Sequence, residues 1–139
     1  MNHRAETAAW IATVAFYVIA GFHAALALDA PWGALTQGGE TSGSLAASGR
    51  IAATVSCVLS VVMANAVLGR VGRGPFGVRS SRVATVLAWF TMVYAVVAVV
   101  LNLITRSSAE RALWAPVSLV LLGLITFVMV ATHPKRPDA

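Results

Sequence analysis

The sequence predicts an all-α fold, an integral membrane bundle of four transmembrane helices, and three observations lead to it. Apolar residues make up 58% of the 139 residues and charged residues only 11%, against roughly 45–50% and 25% in soluble domains. Four apolar stretches have about the ~20 residues that a helix needs to cross a bilayer. Arginine collects at one end of these stretches. The predicted spans are residues 8–28, 51–69, 83–104 and 113–132.

The connections between the spans leave room for a single domain, residues 1–139. Only the segment 29–50 is long enough to build structure outside the membrane. It is rich in Gly, Pro, Asp and Ser, which form turns through fixed or positive φ and side-chain hydrogen bonds. We therefore expect a structured loop there, with Ser48 as the N-cap of the second helix. Pro116 is expected in the first turn of the fourth helix, where its missing N–H costs no hydrogen bond.

The ten basic residues predict the orientation of the bundle, because short loops rich in Lys and Arg stay in the cytoplasm. Seven lie on the side of the termini and three on the other side: Arg4, Arg70, Arg73, Arg79, Arg82, Lys135 and Arg136 against Arg50, Arg106 and Arg111. We expect both termini in the cytoplasm and the loop 29–50 outside. The Ala-, Val- and Arg-rich composition is typical of a GC-rich bacterium, so the expected location is the bacterial inner membrane.

The second helix carries a stripe of small residues, one every four positions: Ala52, Ser56, Ser60 and Ala64. Such stripes let helices approach closely in lipid, where van der Waals contact and serine hydrogen bonds supply the association. We expect this stripe to pack against the first or third helix. A homodimer face is the alternative interpretation.

Polar side chains are rare inside the spans, and topology places most of them at one depth. Intramembrane polar groups are costly and often mark a functional site. Three of them are predicted near the outer ends of the first, third and fourth helices, and four loop residues lie over the same mouth. An outward-facing pocket is therefore predicted from His23, Asn102 and Trp114 together with Asp29, Trp32, Gln37 and Glu40.

The chemistry of such a pocket would be acid–base catalysis or the binding of a cation or apolar ring. His23 is the one side chain in the spans that titrates near neutral pH, and Asp29 or Glu40 are its candidate partners. The other candidate ligand-binding residues are Gln37, Asn102 and the aromatic residues Tyr17, Trp32, Trp89, Tyr94 and Trp114, whose π faces suit a cation.

Each of these residues also has a structural interpretation. His23 can hydrogen-bond a loop carbonyl or a neighbouring helix, and Asp29 can form a turn before Pro31. Asn65 and Asn102 can form hydrogen bonds between helices, worth about 0.6 kcal/mol on average.

Several classes of protein lack support in the sequence. The first span has no carboxylate of the kind that a four-helix multidrug exporter needs. There is no Cys-x-x-Cys motif and no pair of histidines placed to ligate haem, so no cofactor is predicted. A metal site would have to combine His23 with Asp29 and Glu40, and none is predicted. No aromatic residues are interleaved with the basic ones, so no nucleic-acid partner is expected.

One stretch resembles a known group of proteins. His23-Ala-Ala-Leu-Ala-Leu-Asp-Ala-Pro-Trp-Gly, followed by Thr36-Gln-Gly-Gly, is similar to the first loop of small, uncharacterised four-helix membrane proteins of actinobacteria and other bacteria. The likeness extends to Arg50 and to Leu113-Trp-Ala-Pro at the fourth helix. This resemblance implies a fold and no activity.

Three functions are compatible with these observations. The leading one is that an outward-facing cavity binds a membrane lipid, an isoprenoid or a similar hydrophobic small molecule. The second is an intramembrane isomerase, cyclase or hydrolase that uses His23 with Asp29 or Glu40. The third is an accessory subunit of a larger membrane complex, because the chain offers little chemistry and a small-residue stripe for packing.

Overall fold

The computed structural model describes residues 3–77 and 82–133, and within them it is all-helical. The four long helices are α1 (His3–Ala27), α2 (Ala47–Arg70), α3 (Arg82–Ile104) and α4 (Ser108–Ala131). Two 3₁₀ turns, Gly33–Leu35 and Gln37–Gly39, lie in the loop between α1 and α2. The predicted all-α fold of four long apolar helices is confirmed. The predicted topology also uses Arg79, Lys135 and Arg136, which lie outside the described residues.

The helices form a ring in which each one packs against its two neighbours. α1 packs most extensively against α2, α3 packs against α4, and the ring closes through α1 with α4 and α2 with α3. The chain therefore runs up and down in order around the bundle. We call the end with residues 28–46 and 105–107 the loop end. The other end, with the start of α1, residues 71–77 and the end of α4, is called the terminal end.

All four helices are long and apolar enough to cross a membrane. Each has 23 to 25 residues, and a helix of that length is about 35 Å long. Only 28% to 39% of the most apolar stretch of each helix is buried, and the outward faces carry large apolar side chains such as Val14, Val58, Val93 and Val120. Apolar residues all round a helix are typical of a membrane span. These features suggest a multi-pass membrane protein.

Small residues bring α1 and α2 close together. Ala9 and Ala12 of α1 and Ala64 of α2 are fully buried. The hydroxyl of Thr13 donates to the carbonyl oxygen of Ala9 at 2.7 Å and lies 3.2 Å from that of Ala64, so it bridges the two helices. Ser60 is also buried. The stripe therefore packs against α1 at Ala64, as the sequence predicts, whereas Ala52 at its other end is exposed.

Two predicted helix starts are wrong. α2 begins at Ala47, and its N-cap is Ala46 without a side-chain hydrogen bond, so Ser48 is not the cap. α4 begins at Ser108, because the hydroxyl of Ser107 accepts a hydrogen bond from the backbone N–H of Glu110 at 3.1 Å and starts the helix before the apolar run. Pro116 therefore lies inside α4 rather than in its first turn.

The last carbonyl groups of α1 accept hydrogen bonds from the following backbone and from Arg50. Asp29 has a φ of +80°, and the N–H of Ala30 donates to the carbonyl of Ala25 at 2.9 Å. This is the left-handed helix termination that usually uses glycine. Arg50 Nε donates to the carbonyl of Ala27 at 2.9 Å, and Nη1 lies 3.4 Å from Asp29 Oδ1. Asp29 thus ends a helix and pairs with Arg50 on the protein surface.

Two glycines in the loop after α1 should differ sharply in their tolerance of an alanine substitution. A Cβ on Gly33 would lie 2.6 Å from the carbonyl oxygens of both Gly43 and Thr41, whereas a Cβ on Gly43 meets nothing within 4 Å. Overpacking of this kind costs about 1–3 kcal/mol. We expect Gly33→Ala to lower the thermal unfolding midpoint in detergent by several degrees and Gly43→Ala to leave it nearly unchanged. Equal midpoints for the two variants would contradict the described loop.

Candidate ligand-binding cavity

A partly open cavity of about 460 Å³ lies between the four helices and extends from the loop end to just past the middle of the bundle. Its size is in the range of sites for small molecules, about 300–1,000 Å³. Every helix and the loop contribute to its wall. The lining residues include Phe16, His23, Gln37, Tyr94, Asn102, Glu110, Trp114 and Leu121.

The wall becomes more apolar with depth, although Ser60, Tyr94 and Ser118 lie in its deeper part. On α1, His23 lies nearest the loop end and Phe16 lies two turns deeper, about 10 Å along the helix. On α4, Glu110 lies at the mouth and Leu121 about 16 Å further in. The cavity therefore suits an elongated molecule with a polar head at the loop end and an apolar body below.

The start of α4 holds the loop over this cavity by three hydrogen bonds to loop backbone. Trp114 Nε1 donates to the carbonyl of Leu35 at 2.7 Å. Ser107 Oγ donates to the carbonyl of Ala34 at 3.1 Å, and the N–H of Gly38 donates to Glu110 Oε2 at 2.9 Å. Loop residues 33–39 are thus fixed as a lid across the mouth.

Aromatic rings add to the attachment of the lid. The Phe22 ring stacks on the Trp32 ring at a centroid distance of 5.9 Å. On its other side it meets the Trp114 ring edge to face at 4.9 Å. Aromatic pairs of this kind contribute about 0.5–1.5 kcal/mol beyond the area that they bury. Phe22 therefore links the loop, α1 and α4, a role that its position in the sequence did not indicate.

Glu110 is the functional candidate that the sequence analysis missed. It is only 9% exposed and lies in the cavity wall. Its Oε2 accepts hydrogen bonds from Gly38 N and, at 2.6 Å, from Thr105 Oγ1. The available signal was the spacing Ser107-x-x-Glu110, but that pattern is also the ordinary capping box, in which the glutamate only satisfies the helix start. Here the carboxylate binds the lid and faces the cavity instead.

His23 lies in the wall with an unsatisfied nitrogen. Its Nδ1 atom is buried and has no hydrogen-bond partner among the described residues. The neighbouring contact is the edge of the Phe22 ring, at a centroid distance of 5.5 Å. Buried polar atoms are nearly always paired in folded proteins. The loop carbonyl or helix partner considered for His23 is thus not found for Nδ1, and a molecule in the cavity is one way to satisfy it.

The structure brings together half of the residues predicted for the site. The cavity wall contains His23, Gln37, Tyr94, Asn102 and Trp114. The other five residues, Tyr17, Asp29, Trp32, Glu40 and Trp89, are exposed and lie outside this wall.

Two of these five have other partners. Tyr17 has its hydroxyl 3.0 Å from Asn65 Nδ2, which makes the expected hydrogen bond between helices. Asp29 pairs with Arg50, as described above. His23 is therefore separated from both carboxylates that were considered as its acid–base or metal-binding partners. In the described part of the chain, no group of three or more His, Cys, Asp or Glu side chains is placed to hold a metal ion.

Comparison with family models, with curated proteins and with solved structures finds no match to this chain. The resemblance at the Ala-Pro-Trp-Gly loop therefore stays a prediction. The function must be inferred from the cavity and its lining residues.

Removal of the hydrogen bond between Trp114 and the lid should increase the opening of the lid. Trp114→Phe keeps the ring but loses the donor to Leu35, which costs about 1 kcal/mol, or about fivefold in the fraction of open lid. We expect amide hydrogen exchange of residues 33–39 to accelerate by that factor. Trp89→Phe, at an exposed tryptophan outside the cavity, is the matched control and should leave exchange unchanged. Unaltered exchange in Trp114→Phe would contradict the assignment of the lid.

Proposed function

We propose that this protein binds a lipid-like or isoprenoid small molecule in the cavity between its four helices. The observation that carries the proposal is a cavity of about 460 Å³ with a mainly apolar interior and most of its polar groups at one end. The unpaired Nδ1 of His23 adds to it, because a buried polar atom without a partner is costly. The alternative of an acid–base enzyme has less support, since Asp29 and Glu40 lie outside the cavity wall.

We propose further that the helices cross the bacterial inner membrane with both termini in the cytoplasm. The basic residues support this orientation, because Arg4, Arg70 and Arg73 lie at the terminal end and positively charged ends stay inside. The lid and the mouth of the cavity then face outward. A ligand would enter from the outer leaflet or from the space outside it.

A cavity-filling variant tests the binding function. Ala98 lies in the cavity wall, and its neighbour Val97 points outward with 47% exposure. Ala98→Phe should reduce the small molecule that co-purifies with the protein by about tenfold or more, which a loss of 1.4 kcal/mol already produces. Val97→Phe adds a comparable ring outside and should retain the molecule. Native mass spectrometry and solvent extraction give the readout.

Two outcomes of that experiment would count against the proposal. One is that the purified wild-type protein carries no small molecule. The other is that Ala98→Phe and Val97→Phe retain equal amounts.

The orientation has an independent test by labelling of single cysteines. Cys57 is the one cysteine of the chain, so Cys57→Ser provides the background. In it, Ser42→Cys in the exposed loop should react with a membrane-impermeant thiol reagent in spheroplasts, and His3→Cys should react only after lysis. The reverse pattern would overturn the proposed topology.

A further inference from the structure

The carboxylate of Glu110 has no positive partner in the described part of the chain. The ion pairs between described residues are Arg50 with Asp29 and Arg73 with Glu6, and neither involves Glu110. The adjacent Arg111 is exposed and donates to the carbonyl of Thr105. A carboxylate that is largely removed from water is stabilised by a positive partner or by hydrogen bonds. For Glu110 the described residues supply only hydrogen bonds and the start of α4.

The hydrogen bonds of Glu110 leave one oxygen available. Both donors, Gly38 N and Thr105 Oγ1, bind Oε2. Oε1 has no donor among the described residues and belongs to a residue that lines the cavity. A ligand that brings one positive donor to the mouth of the cavity would complete both the charge and the hydrogen bonding of this group.

The rest of the wall is suited to one cation on an apolar body. The Trp114 ring follows Glu110 by one helical turn and is on the same face of α4. Its π face favours a cation close by. Below it the wall is mainly apolar down to Phe16 and Leu121, and the hydroxyls of Ser60 and Ser118 there donate to backbone carbonyls of their own helices. Among residues 3–77 and 82–133, no arginine or lysine lines the cavity, so the phosphate of a whole phospholipid would meet Glu110 with no basic side chain from this part of the chain to offset the repulsion.

We propose that the ligand of this cavity is a lipophilic amine, an apolar molecule with a single ammonium group, and that Glu110 binds the ammonium. This rests on the proposed function and narrows it to a class of ligand. Gln37, Asn102 and His23 complete the polar head of the site.

A pair of matched probes tests the charge requirement. Dodecylamine and dodecan-1-ol have the same apolar chain and differ in the charge of the head. Equilibrium binding of each radiolabelled probe is measured on the full chain in phosphatidylcholine nanodiscs, after subtraction of empty discs. Wild-type protein should bind the amine at least about tenfold more tightly than the alcohol, as expected for a charge-assisted hydrogen bond.

Variants then assign the effect to Glu110. Glu110→Gln keeps an oxygen that can accept from Gly38 and Thr105 but removes the charge. It should weaken dodecylamine binding about tenfold or more and leave dodecan-1-ol within about twofold. Glu40→Gln, an exposed loop carboxylate outside the wall, controls for general attraction of cations and should change neither affinity. The comparison of probes on wild-type protein does not depend on the folding of any variant.

The outcomes separate this inference from the proposed function. If both probes bind equally well, or if Glu110→Gln binds the amine as wild type does, the amine assignment is overturned while the function stands. If neither probe binds wild-type protein, both are overturned. Displacement of dodecylamine by phosphatidylethanolamine added to the discs would identify a lipid headgroup as the ligand and overturn the assignment to a free amine.

Discussion

The site of this protein depends on the attachment of one loop to the start of one helix. Ser107, Glu110 and Trp114 lie on successive turns of the first part of α4, and each forms a hydrogen bond to the backbone of residues 34–38. These bonds hold the loop against the polar end of the cavity, so that Thr36, Gln37 and Gly38 form part of its wall. The Phe22 ring, between Trp32 and Trp114, adds an apolar contact to the same attachment.

The cavity exists because the helices pack unevenly along their length. Towards the terminal end, alanines draw α1 against α2, and Met63, Ile125 and Val128 fill the centre of the bundle. That end is also closed by Arg73, whose Nη2 lies 2.9 Å from Glu6 Oε1, and by Arg70, which donates to Thr132. Around the cavity, by contrast, α2 and α3 contribute the smaller residues Ser56, Ser60, Ala95 and Ala98. Small side chains on facing helices leave a space that close packing fills elsewhere.

The sequence predicted the four helices well, because length and hydropathy suffice to identify a span. It also predicted the common depth of His23, Asn102 and Trp114, which follows from topology and the rise per residue. It could not predict which way Tyr17 and Trp89 point. When a helix is apolar all round, periodicity does not reveal its inward face, and rotation is decided by packing against its neighbours.

The sequence also did not predict which carboxylates line the cavity, and the reason is a different one. Asp29 and Glu40 lie in a loop whose path depends on glycines at positive φ, such as Gly38 and Gly39, and no periodic pattern describes such a path. Glu110 was missed because its spacing from Ser107 is explained equally well by helix capping. A carboxylate in a short turn between two spans also looks solvated. Only the lid that folds over it makes it buried.

The kind of atom that holds the lid determines which positions of this sequence can vary. On the loop side, all three hydrogen bonds use main-chain atoms, of Ala34, Leu35 and Gly38. Almost any side chain can present those atoms, so much of the loop surface is free to diverge among homologues. The anchoring side chains of α4 do not have that freedom, nor does Gly39, whose Cβ would lie 2.7 Å from that of Ser107. Homologues that share this lid should therefore keep three side chains on a helix and a glycine in the loop, while the surface of the loop changes around them.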